Sequence, residues 1–239
     1  MTRVPESPKV AIITGTSHGI GAGLAAAFRL AGYAVVGTAR SIAASGEPGV
    51  LTVQGDIAEA ETAERVVEQA LERFGRIDSL INNAGVFIGK PFTDYTPDDF
   101  AAITAVNLAG FFHITQRAIR QMVIQGSGHV VNVSTSLVDQ ANSTRPSALA
   151  ALTKGGLAAV TRSLAVEYAS RGVRVNAVAL GVIKTREHET ASYDGMAGLH
   201  PVGRLGDISD VAGGILYLEE ATFVTGEILH IDGGQAAGY

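Results

Sequence analysis

The chain has 239 residues, 46% hydrophobic and 17% charged, with 29 Gly, 7 Pro and 6% aromatics, a composition that excludes disordered, collagen-like and coiled-coil chains and a length that can bury about three quarters of its unfolded surface. A net charge of -5 argues against nucleic acid or an anionic membrane as the main partner. The absence of cysteine removes disulfides, thiolate nucleophiles and Cys-zinc sites together; the expectations are a cytoplasmic setting and no metal site.

Along the chain, Met1 to Lys9 is polar and contains proline, so neither a signal peptide nor a membrane anchor is expected. Short apolar runs then alternate with stretches of helical period. Val10–Ile13, Ala34–Val36, Val50–Val53, Ser79–Ile81, Val130–Val133, Val173–Val175 and Ile228–Ile231 read as seven strands. Between them, Val66, Val67, Ala70, Leu71 and Phe74 sit at helical spacing before Gly75. Asp98 to Gln125 reads as one helix and Ala148 to Ser170 as another, the latter with a stripe at Leu149, Leu152, Leu157, Val160 and Leu164. Glu187 to Gly206 lacks a clean period and is read as a substrate loop or lid. No apolar run reaches the roughly 18 residues of a spanning helix, and no linker or repeat interrupts the chain. The expectation is a single domain over 1–239 of the α/β class, a doubly wound seven-stranded parallel sheet with helices on both faces.

After the first strand comes Thr14-Gly15-Thr16-Ser17-His18-Gly19-Ile20-Gly21, opening an Ala-rich helix. Glycines let such a turn bend and let backbone N–H groups approach a pyrophosphate, and the helix N-terminus adds a favourable dipole. The spacing G-x-x-x-G-x-G departs from the common dinucleotide pattern G-x-G-x-x-G, but its place in a strand-turn-helix unit points to a dinucleotide.

From about Lys9 to Gly234 the sequence resembles the short-chain dehydrogenase/reductase family. The resemblance rests on Thr14 to Gly21, Asp56-Ile57, Asn82-Asn83-Ala84-Gly85, Asn107, Asn176 through Thr185 and Ile231-Asp232-Gly233-Gly234, in order and at the family's spacing. It implies a Rossmann-like fold with a nicotinamide cofactor across the carboxyl ends of the strands. The implied cofactor-binding residues are Gly15, Ser17, His18, Gly19, Ile20, Gly21, Asp56, Ile57, Asn83, Ala84, Gly85, Lys154, Val182, Ile183 and Thr185. At the end of the second strand an acid would accept the ribose 2'-hydroxyl, whereas a base would pair with a 2'-phosphate. This chain has Thr38-Ala39-Arg40, with Ala39 where similar proteins place the acid, so NADP(H) is expected over NAD(H).

The same resemblance implies a catalytic set of Tyr, Lys four residues later, a Ser at a strand end and an Asn on another helix. A phenol beside an ammonium donates the proton when hydride reaches a carbonyl. Lys154 and Asn107 match, but the tyrosine position falls on Ala150, and the six tyrosines stand at 33, 95, 168, 193, 217 and 239. Either Thr135 or Ser136 could supply the serine's hydroxyl. His188, Tyr193 and His200 are candidates for a replacement acid, and Phe87, Ile88, Leu137, Val138 and Met196 for apolar walls. Two readings follow. One is an NADP(H)-dependent oxidoreductase acting on a small carbonyl, alcohol or activated C=C substrate with a modified proton relay. The other is a weak or inactive NADP(H)-binding sensor or partner subunit. A homodimer or homotetramer, paired through the helices at 98–125 and 148–170, is what the resemblance implies for assembly.

Overall fold

The computed structural model describes residues 8–142, 146–185 and 195–238. All seven expected strands form one parallel sheet: β1 (Val10–Thr14), β2 (Ala34–Ala39), β3 (Val50–Gln54), β4 (Ser79–Asn82), β5 (Gly128–Thr135), β6 (Val173–Leu180) and β7 (Ile228–Ile231), in the order β3-β2-β1-β4-β5-β6-β7. The order reverses between β1 and β4, and a crevice at the carboxyl ends of the strands is the consequence of that reversal.

The apolar runs are continuous because both faces of the sheet are covered. Along β1, Val10 and Ile12 enter one core with Val66, Ala70, Ile114, Ala118 and Met122, while Ala11 and Ile13 enter the other with Leu24, Phe28, Val211 and Ile215. This two-residue alternation places helices α2 (Ala60–Phe74), α4 (Phe111–Gln125) and α5 (Ala148–Tyr168) on one face. Helices α1 (Gly19–Leu30) and α6 (Ile208–Glu220) cover the other. Glycines at positive φ end α2 at Gly75 (+76°) and α4 at Gly126 (+71°), where a side chain would be strained.

The stretch read as one helix over 98–125 is more finely divided. Helix α3 (Pro97–Thr104) begins on Thr96, whose hydroxyl accepts from the N–H of Asp99, and passes through a π-helical turn, Ala105–Gly110, into α4. Among the described residues no helix is long and apolar enough to cross a membrane, and no cluster of His, Cys, Asp or Glu could hold a metal ion.

Candidate active site

Loops leaving the carboxyl ends of β1 to β6 surround a cleft in two adjoining parts. The larger, about 790 Å³, is lined by Gly15, Ser17, His18, Gly19, Ile20, Gly21, Arg40, Asp56, Ile57, Asn83, Ala84 and Gly85, and by Thr185 from the β6 side. All these residues were expected from sequence. The smaller, about 340 Å³, shares Ile20, Asn83, Gly85 and Thr185 with it. Thr135, Ser136, Ala150, Lys154, Val182 and Ile183 also line it.

The larger part fits a dinucleotide. Gly15 (φ +73°) and Gly19 (φ +56°) hold backbone conformations that favour glycine. A Cβ on Gly21 would stand 2.0 Å from the carbonyl oxygen of Gly15, so the turn closes only with glycine there. The side chain of His18, the residue before α1, does not cap the helix, and no acid occupies its first turn. First-turn N–H groups are thus left for an anion. The turn is fixed from behind: Thr14 Oγ1 accepts from the N–H groups of Asn83 (3.1 Å) and Ala84 (2.9 Å), and Asn83 Nδ2 donates to Thr14 O at 2.9 Å. Asn83 therefore uses its amide to tie β4 to the phosphate turn. The buried hydroxyl of Thr38, in the cleft wall, has no partner among the described residues. Asp56 Oδ1 accepts from the N–H of Ala58 at 3.0 Å, which shapes the wall beside Ile57.

The smaller part is built by side chains. Lys154 extends over Gly85, where a Cβ would meet its Nζ at 3.0 Å, and donates to Val133 O at 2.6 Å. Its side chain is half-buried, and burial lowers its pKa from 10.5 to about 8. Ala150, one turn earlier on α5, is buried with Ile103 and Leu149 and lines the same cavity. No tyrosine is among the described lining residues. The phenol of Tyr95 is near this cluster, but its hydroxyl donates to Ile88 O at 2.7 Å.

Asn107 lies in the π-helical turn. Its Oδ1 accepts from the N–H of Val86 at 2.8 Å, and its Nδ2 donates to Val86 O (3.0 Å) and Thr153 Oγ1 (3.1 Å). Every polar atom of its side chain is engaged, and it fixes the chain after β4 without facing the cavity. The two hydroxyl candidates also separate. Ser136 is buried and donates to Leu180 O (3.2 Å) and Gln235 Oε1 (3.0 Å). Thr135 Oγ1 accepts from the N–H of Leu137 at 3.3 Å, which leaves its own hydrogen available to the cavity.

Other expectations change on inspection. Phe87, Leu137 and Met196 line the cavity, but Ile88 and Val138 do not. His200 is buried, accepts from the N–H of Val182 at its Nε2 (3.0 Å) and donates from Nδ1 to Met196 O (3.2 Å). It pins the 196–199 turn to the end of β6 and lines a neighbouring hollow instead. His188 and Tyr193, and most of the segment read as a lid, lie outside the described residues. Sequence reasoning missed Gln235, Ser134 and Leu199 as lining residues. Gln235 directly follows the Gly233-Gly234 pair, the one signal that could have pointed to it.

Residues 15–236 match the family model described as enoyl-(acyl carrier protein) reductase. The chain belongs to the short-chain dehydrogenase/reductase family. It is 38% identical to the granaticin polyketide synthase putative ketoacyl reductase 2 of Streptomyces violaceoruber, covering 98% of both chains. It is 33% identical to the 3-oxoacyl-(acyl-carrier-protein) reductase FabG of Salmonella typhimurium, over 95% of this chain and 96% of that one. Among solved structures, a gluconate 5-dehydrogenase from Burkholderia cenocepacia in complex with NADP and tartrate superposes with a TM-score of 0.89 at 30% identity, covering 97% of this chain and 96% of the other. A 3-ketoacyl-(acyl-carrier-protein) reductase from Brucella melitensis complexed with NADH gives 0.88 at 31%, covering 95% and 98%. These family members are oxidoreductases, and their bound molecules support a nicotinamide cofactor here.

Proposed function

We propose that this protein is an NADP(H)-dependent oxidoreductase that moves a hydride to or from a small carbonyl, alcohol or activated C=C substrate through a modified proton relay. The observation that carries the reading is the continuity of the glycine-built cleft with a cavity holding Lys154. Relatives named as ketoacyl reductases support a carbonyl as the reacting group. The cofactor would supply the hydride. Gly15 to Gly21 would hold its phosphates, Asp56 and Ile57 its adenine side, and Val182, Ile183 and Thr185 its nicotinamide side.

Arg40, exposed at the end of β2 beside Ala39, supports the preference for NADP(H). A guanidinium there would pair with a 2'-phosphate, and no acid stands in its place to repel one. Lys154 would orient the ribose and lend its charge to the developing oxyanion. Thr135 would direct its free hydrogen to the substrate oxygen, with Ser136 holding the loop behind it and Asn107 the chain before Lys154. Ala150 stands where the family tyrosine is implied, and loss of a positioned general acid typically lowers rates by about 10² to 10⁴. The exposed apolar residues Phe100, Leu108 and Phe112, with Leu152 and Val166 on α5, support pairing into a homodimer or homotetramer.

The test is a fluorescence titration with NADPH and NADH, followed by cofactor oxidation against diketones, quinones and enones. NADPH is expected to bind at least about tenfold tighter than NADH, a difference of about 1.4 kcal/mol, with substrate-dependent oxidation. Equal affinities would remove the cofactor preference. Because Ala150 lacks a proton to give, the second reading is a binding module without turnover; tight binding with no oxidation, unrestored by Ala150→Tyr, would establish that instead.

A further inference from the structure

The cavity beside the cofactor cleft combines two features. One is space: α5 brings Ala150 and Lys154 to the same face one turn apart, and at Ala150 the side chain ends at Cβ. The other is charge. An ammonium has three N–H donors, and Lys154 gives one of them to Val133 O. None of the ion pairs among the described residues includes Lys154. The surrounding wall is mostly apolar, formed by Val86, Phe87, Leu137, Met196 and Leu199.

These features select a ligand chemistry. A carboxylate would bring a strongly hydrated charge into mostly apolar surroundings. An aliphatic alcohol is too weak an acid to gain from the ammonium beyond an ordinary hydrogen bond. A phenol matches both features, since its flat ring covers apolar wall while one acidic oxygen meets one cationic donor. We propose that the space between Ala150 and Lys154 is a binding site for the phenol class, an acidic hydroxyl carried on a planar ring. Lys154 donates to the phenolic oxygen and favours the phenolate, and the released proton passes to water. The proposal rests on reading this cavity as the substrate side of the enzyme.

Para-nitrophenol is the probe, because its colour reports its own ionisation without cofactor or turnover. Titrated into the full chain, it is expected to bind saturably and to ionise with an apparent pKa lowered by about one or more, the effect of an opposite charge within ~4–6 Å. Phenol should displace it, whereas cyclohexanol, of similar size but hardly acidic, should displace it at least about tenfold less well. Lys154→Met should abolish the ionisation shift, and Ala150→Phe should exclude the probe while thermal melting shows a folded protein. Absence of saturable binding to the wild type, an unchanged shift in Lys154→Met, or equal displacement by cyclohexanol would each overturn the proposal. NADPH titration of the same preparation separates the two readings. Failure to bind NADPH with normal probe binding removes the reductase reading alone, and the converse removes the phenol site alone.

Discussion

The two halves of the crevice are made of different material. The half proposed for the phosphates is built from backbone: glycines at Gly15, Gly19 and Gly21, first-turn N–H groups of α1, and a turn tied to β4 by Thr14 and Asn83. The half proposed for the chemistry is built from side chains at the ends of β5 and along α5. Backbone recognition is difficult to alter piecemeal, because a Cβ on Gly21 collides with a carbonyl that cannot move without opening the turn. A relay of side chains can lose one member and keep the fold. Ala150, a strong helix former buried against Ile103 and Leu149, lets α5 continue through its position without strain.

The comparison is best tested first at Lys154, where the largest effect is expected. Lys154→Met should lower substrate-dependent NADPH oxidation by about 10² to 10⁴. In the wild type, any step that needs the ammonium should fade as pH rises through about 8, where burial has moved its pKa. The stability sign is opposite. Between about 8 and the unfolded value of 10.5 the unfolded chain binds more protons than the folded one, so wild-type stability should rise with pH there relative to Lys154→Met, by chemical denaturation.

On the backbone side, Gly21→Ala should weaken NADPH by about a hundredfold or more, near 2.7 kcal/mol, and lower the melting temperature as well; unchanged affinity would show that the turn has slack. Arg40→Ala is a milder test, with NADPH expected to weaken about tenfold and NADH hardly at all. Smallest is Ser136→Ala. Losing its bonds to Leu180 and Gln235 should cost about 1 kcal/mol of stability by denaturant unfolding, with less than about a tenfold change in turnover. A loss as large as that of Lys154→Met would move Ser136 from support into the chemistry.

The sheet was legible because a strand buried on both faces writes an unbroken apolar run, and the phosphate half because its glycines are required one by one. Lys154 and Asn107 were named only through the resemblance to the family. What a linear pattern could not show is where polar atoms are spent. Asn107 reads as a catalytic candidate, yet its side chain is consumed by Val86 and Thr153. His200 reads as a spare acid, yet both nitrogens hold backbone partners. Ser136 and Thr135 are adjacent and chemically alike, and only their partners, Gln235 at 99 residues' separation among them, tell them apart. Such assignments depend on contacts between distant parts of the chain, which periodicity does not encode.

The π-helical turn at Ala105–Gly110 draws this together. It takes up one residue more per turn than an α-helix, so the helical phase of α4 against the sheet depends on how many residues the chain contains there, whatever their identity. Removing one residue from the turn would regularise the helix by every local measure. It would also rotate Asn107 out of reach of Val86 or turn the apolar stripe of Ile114, Ala118 and Met122 away from β4 and β5. At this point in the molecule a deletion should be more damaging than any substitution, and a locally better helix should make a worse protein.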